Sequence, residues 1–128
     1  MIKSAFKGAV LAGLLTVGAT ATTAGDLSDA EVALFLTIKT QPGQRDALVA
    51  LWDAHLKTRA AEDADHLRYV FALDMGDPDT VHITEVYATQ TAFEQNAQSP
   101  WFAAYMTKAA ELLAGEPGFA MASPYWVK

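Results

Sequence analysis

Two segments of this chain carry side chains suited to moving a proton. In the run Thr80 to Tyr87, TVHITEVY, Glu85 and Tyr87 are two apart, so in an extended chain both project from one face. His55 lies among Leu48, Leu51, Trp52 and Leu56 at spacings of three and four, on the apolar face of a helix. A neutral imidazole in that setting can accept a proton, which makes His55 the leading candidate base. Glu85, if enclosed, is a second acid or base. Tyr69 and Tyr87 offer phenolic donors to a phenolate or carbonyl oxygen, and Asn96 offers an amide to orient one. Trp52, Trp101, Phe102 and Tyr105 could wall an aromatic ligand. The expected catalytic set is His55, Glu85 and Tyr87, and the expected substrate contacts are Trp52, Tyr69, Asn96, Trp101, Phe102 and Tyr105. Each has a plainer use as well. His55 could bond a backbone carbonyl in the core, Glu85 could receive the amides of the following helix, Asn96 could end its helix, and the aromatics could be packing.

Other chemistries fail on residue type or spacing. With 0 cysteines, thiol catalysis, Cys-type zinc, iron–sulfur and disulfide scaffolds are excluded. His82 and Glu85 are three apart in a strand and point to opposite faces, so no metal pair forms there, and no metal is expected. Asp74, Asp77 and Asp79 lack the order of a calcium loop and read as a solvated hairpin turn. No G-x-S-x-G, G-x-G-x-x-G or P-loop is present. The formal net charge of −6, from 9 Lys+Arg against 15 Asp+Glu, repels phosphate backbones and anionic lipid surfaces. Nucleic acid is therefore not an expected partner.

The elements that must hold these residues follow from periodicity. With 52% hydrophobic and 19% charged residues, the 128-residue chain has the balance of one folded domain. Val32 to Ile38 reads as a buried strand closed by Gln41-Pro42-Gly43, and a helix runs from about Gln44 to Ala61. Leu67, Tyr69, Phe71 and Leu73 alternate with His66, Arg68, Val70 and Ala72 in a second strand, joined by a tight turn to a third, Thr80 to Tyr87. A helical stretch covers Thr91 to Gln98, and Ser99 caps a further helix opened by Pro100. Phe119 to Val127 is expected to make the last strand, with Pro124 confining its end to an edge. The order strand, helix, strand, strand, helix pair, strand is that of an α+β, ferredoxin-like βαββαβ sheet with helices on one face. The first strand is apolar on both sides, with Val32, Leu34, Leu36 and Ile38 opposing Ala33 and Phe35. A homodimer joined through the open faces of its sheets is therefore expected.

The first 24 residues do not read as part of that domain. Two lysines without an acid precede the apolar run GAVLAGLLTV, and small residues follow, which is the layout of a signal peptide cleaved after Ala21 or Ala24. The apolar run is too short to remain as a membrane-spanning helix. Removal of Lys3 and Lys7 would take the net charge from −6 to −8, and the mature domain, 25–128, is expected in the periplasm or outside the cell.

The run Tyr69, Asp74, Glu85-Val86-Tyr87, Ala92-Phe93-Glu94-Gln95-Asn96 and Ser99-Pro100-Trp101-Phe102, preceded by a strand ending in Pro42-Gly43, resembles the antibiotic biosynthesis monooxygenase domain family. The resemblance extends from about Val32 to Trp126. It implies a dimeric α/β barrel that binds a planar aromatic or quinol-like molecule between sheet and helices. Some members oxygenate that molecule with O2 and no metal or flavin. Others degrade haem, isomerise breakdown products of small sugars, or have no known activity. The family often carries a histidine where this chain has Asn96, and a glycine near Asp65-His66 where this chain has none. The haem-degrading branch relies on an asparagine in strand one, a tryptophan in strand three and that helix histidine. Strand one here lacks the asparagine, Tyr87 is the strand-three aromatic and Asn96 replaces the histidine, which disfavours haem degradation. The implied activity is that of an exported, cofactor-independent monooxygenase acting on a quinol or other electron-rich aromatic. The alternatives are a non-catalytic dimer that binds a small hydrophobic ligand and a cofactor-free isomerase.

Overall fold

A computed structural model describes Leu27 and residues 29–128; the expected signal peptide lies outside the described residues. The elements, in chain order, are β1 (Val32–Lys39), α1 (Arg45–His55), α2 (Lys57–Glu62), β2 (His66–Leu73), β3 (Thr80–Tyr87), α3 (Gln90–Ala97), α4 (Pro100–Ala109), a 3-10 turn (Ala110–Leu112) and β4 (Gly118–Ala122). The strands form one antiparallel sheet in the order β2-β3-β1-β4. This is the ferredoxin-like arrangement the element order predicts.

Pairing and pleat divide the sheet into two faces. Val32, Leu34, Leu36 and Ile38 of β1 lie opposite Tyr87, Glu85, Ile83 and Val81 of β3. These residues face the helices, where Ile38, Val81 and Ile83 form a core with Leu48 and Leu56 of the helical segment and Tyr105 and Ala109 of α4. Leu48, at 0% exposure, is its centre. The single helix expected from Gln44 to Ala61 is instead two. At the junction Leu56 keeps right-handed geometry with its φ stretched to −117°, and its side chain stays buried in the core while α2 restarts at Lys57.

Both turns around the hairpin are fastened by side chains. Arg45 Nη1 donates to the carbonyls of Asp74, Asp77 and Thr80, at 3.0, 3.0 and 3.2 Å, and so ties the start of α1 to the β2–β3 turn. Gly43 takes φ +80°, a left-handed value that glycine adopts without Cβ strain, and its amide donates to Asp79. Asp74 receives the amides of Gly76 and Asp77, while Asp77 receives the amide of Asp79 and the ammonium of Lys39. These contacts hold both carboxyls below the usual range, Asp74 chiefly through His82 and Asp77, at about 2, chiefly through Lys39. The three aspartates thus shape the turn.

Two departures from the strand reading matter for the site. A β-bulge between His66 and Arg68 puts His66, not Leu67, opposite Tyr87. His66 therefore turns toward the helices, and Leu67 packs on the other face with Leu27, Ala33, Val86 and Val127. The last strand is five residues, not nine, and beyond it Ser123 to Val127 lie alongside Ala33, Phe35 and Val86 on the open face.

Candidate active site

Glu85 and Tyr87 share the helix-facing side of β3, and the elements around them bring four more side chains into contact. Tyr87 is 0% exposed. Its hydroxyl donates to Glu85 Oε1 at 2.9 Å and accepts from Asn96 Nδ2 at 2.9 Å. Asn96 is delivered by α3, which Thr89 caps by accepting the Ala92 amide. The His66 ring stacks on Tyr87, with centroids 4.1 Å apart and planes 14° from parallel. Its Nε2 lies 3.1 Å from Glu85 Oε1 but out of line for a hydrogen bond. Tyr69, directly across the ladder from Glu85, accepts at its hydroxyl from Trp52 Nε1 at 2.9 Å.

The carboxyl of Glu85 borders an apolar cavity of about 310 Å³ between the sheet and α4. Leu36, Ile83, Phe102, Tyr105 and Phe119 are among its walls, and Tyr69 and Glu85 supply polar groups. Because Tyr69 accepts from Trp52, its own proton is available, and among the described residues no acceptor meets it. The Tyr69 donor and the Glu85 acceptor thus border the same cavity. Tyr87 does not serve that way, since its proton is committed to Glu85.

Burial and the Glu85 charge keep the tyrosines protonated. Burial is the larger cause for all three, and the nearby carboxylate adds to it, because a phenolate beside an anion is disfavoured. Tyr69 and Tyr87 are raised far above the ordinary value, and Tyr105 is pushed up to about 12. They are hydrogen-bond donors throughout the neutral range.

Of the expected site residues, the structure brings together Trp52, Tyr69, Glu85, Tyr87 and Asn96 in one network, with Phe102 and Tyr105 on the cavity wall. Trp101 stands apart, under the Arg59 guanidinium at 4.2 Å, in a second, polar cleft of about 340 Å³ that Asn96 also borders. His55 is half-buried at the end of α1 and makes none of these contacts. The imidazole beside Glu85 belongs to His66, which strict alternation assigns to the opposite face. One inserted residue at the start of β2 is enough to reverse the parity of His66, and no residue type there signals it. His82 sits on the open face, bonded to Asp74 at 2.6 Å and within 3.3 Å of Thr37 Oγ1. Among the described residues no group of three His, Asp or Glu side chains could hold a metal ion, and no helix is long and apolar enough to cross a membrane.

Known proteins share this architecture. A Chloroflexus aurantiacus J-10-fl protein provisionally assigned as an antibiotic biosynthesis monooxygenase is 26% identical, with a TM-score of 0.65 over 76% of this chain and 95% of its own. Rv0793 from Mycobacterium tuberculosis is 25% identical, with a TM-score of 0.66 over 75% of this chain and 96% of its own. A protein of unknown function from Nitrosomonas europaea, at 22% identity and a TM-score of 0.68 over 79% and 95%, shares the fold. No curated protein matches the chain significantly. The family model described as antibiotic biosynthesis monooxygenase matches residues 32–108, which takes in β1 through nearly all of α4 and every member of the Glu85 network. The chain belongs to the antibiotic biosynthesis monooxygenase family.

Proposed function

We propose that the protein is an exported, cofactor-independent monooxygenase that oxidises a quinol or other electron-rich aromatic with O2. The observation that carries this reading is the apolar cavity of about 310 Å³ with a free phenolic donor, Tyr69, and a supported carboxylate, Glu85, bordering it. A flat ligand sits among the aromatic and aliphatic walls with its oxygen at Tyr69 and its acidic hydrogen at Glu85. Glu85 takes the proton and Tyr69 donates to the oxygen that gains charge. Because a carboxylate is the base, a neutral substrate leaves the total charge of the site unchanged as its anion forms. The electron-rich anion then reduces O2. At a ring CH2 group the balanced change is CH2 plus O2 to C=O plus H2O, with all four electrons supplied by the substrate. Export rests on the pattern of residues 1–24.

Oxygen consumption by the purified, metal- and flavin-stripped protein tests the reading, with anthrone and 1,4-naphthohydroquinone as probes. Uptake above the rate of the probes alone, with one carbonyl formed per O2 for anthrone, is the expected result. Saturable binding without any uptake would instead establish the ligand-binding alternative, which the commitment of the Asn96 amide to Tyr87 favours.

We also propose that the mature protein is a homodimer paired through its open sheet faces. Phe35 and Val70 are 48% and 46% exposed there, with Trp126 at 75% beside them, and such a patch is better buried than solvated. Phe35→Asp is expected to make the protein monomeric or insoluble, because a carboxylate would be buried without a partner. Light scattering at micromolar concentration checks this, and a native monomer would remove the face-to-face arrangement.

A further inference from the structure

Glu85 and His66 touch, yet they border different spaces. Glu85 lines the apolar cavity, while His66 lines an open groove of about 360 Å³ between α2 and the start of β2, with Lys57, Ala60 and Arg68. The two side chains are 13% and 4% exposed, so water has little access to the contact between them. His66 Nε2 is fully buried and has no aligned hydrogen-bond partner among the described residues, with Glu85 Oε1 at 3.1 Å its near neighbour. A buried nitrogen without a hydrogen-bond partner is costly and calls for a reason. The β-bulge that turns His66 inward is likewise a local irregularity of the kind found beside active sites.

A carboxylate that has taken a proton from substrate exchanges it with solvent only through a path to water; without one the same proton returns to the carbon it left or goes to the oxygen being reduced. We propose that His66 is the relay through which a proton taken up by Glu85 in the cavity reaches water in the groove beside β2. This rests on the reading of the cavity as a site of proton abstraction. With its ring protonated on Nδ1, His66 accepts at Nε2 the proton that Glu85 has taken from the substrate, and the imidazolium releases the Nδ1 proton to groove water. Glu85 is then a carboxylate again and no electrons have moved. Of the charged groups around the ring, Glu85 lies against it on the core side, and Lys57 and Arg68 border the groove. Tyr69 and Tyr87, kept neutral by burial, pack against it from the core side.

The test needs no oxygen. Under anaerobic conditions in D2O, wild-type protein is expected to exchange the CH2 hydrogens of anthrone with solvent, followed by NMR or mass. His66→Gln is expected to slow this wash-in by about 10²-fold with unchanged anthrone affinity, because the glutamine packs but cannot relay. In His66→Ala, added imidazole is expected to restore exchange saturably, which a packing role would not produce. If neither variant folds, the ¹⁵N resonances of the His66 ring in wild type decide, since they are expected to move toward imidazolium when anthrone binds and to stay fixed in Glu85→Gln. Absence of exchange in wild type, or exchange indifferent to His66, overturns the relay. Exchange that depends on His66 without oxygen uptake in air keeps the relay and removes the monooxygenase reading, whereas uptake indifferent to His66 does the reverse.

Discussion

Glu85→Gln is expected to lower oxygen uptake with anthrone by about 10²-fold or more, the usual worth of a positioned general base. The substitution keeps the shape of the side chain and a carbonyl oxygen that can still accept from Tyr87, so the network seen at 2.9 Å survives and the fold with it. What disappears is the capacity to hold a proton at the cavity surface. Because the loss falls on the chemical step, kcat should drop with little change in anthrone affinity. His55→Ala gives the contrast, since His55 makes no contact with Glu85, Tyr87 or Tyr69 and its removal leaves the network whole. A loss in His55→Ala as large as that in Glu85→Gln would return the base role to the helix histidine.

That contrast also shows what the sequence makes legible. Alternation along TVHITEVY puts Glu85 and Tyr87 on one face because the strand is regular and paired on both sides, with β1 and β2, from Val81 to Tyr87. Helical spacing puts Leu48 and Leu56 in the core and Trp52 against it, since burial demands an apolar stripe there. The same stripe contains His55 only by proximity. At the end of a helix whose next residue has a stretched φ of −117°, its direction depends on how Leu56 is drawn into the core. For His66, one extra residue in the ladder reverses which way every earlier side chain points, and no residue type near Asp65-His66-Leu67 demands that slip. Features that depend on regular repetition are thus readable, whereas those set by a local irregularity need the three-dimensional pairing. The length of the last strand belongs to the second kind, because after Ala122 the chain gains more by packing Val127 over Ala33 and Val86 than by extending the ladder.

Raising the pH above about 10 is expected to unfold the protein cooperatively rather than to titrate its core tyrosines in place. In the native state Tyr69, Tyr87 and Tyr105 are all raised above the ordinary tyrosine value of 10.0, first by burial and then by the Glu85 charge. In the unfolded chain they lose both influences. Between 10 and the folded values the unfolded state binds fewer protons than the native one, so stability falls as pH rises. The stabilising contribution is complete below about pH 10 and is drained above it, at ~1.4 kcal/mol per pH unit for each tyrosine that ionises only on unfolding. Three acting together remove about 4 kcal/mol per unit, against a total stability of order 5–15 kcal/mol for a domain of this kind. A domain at the lower end of that range therefore unfolds between about one and two units above 10, before or near the value of about 12 at which Tyr105 would ionise in the fold. Absorbance at 295 nm and far-ultraviolet circular dichroism in Tyr125→Phe protein, which removes the exposed fourth tyrosine, should change together. Glu85→Gln relieves part of the pressure on all three phenols in the fold, so in that variant the slope just above pH 10 is the same but each tyrosine's contribution ends at a lower pH. Phenolate absorbance rising near pH 10 with the dichroism intact would mean that these tyrosines are solvated, and the cavity with its buried Tyr69 donor would have to be abandoned.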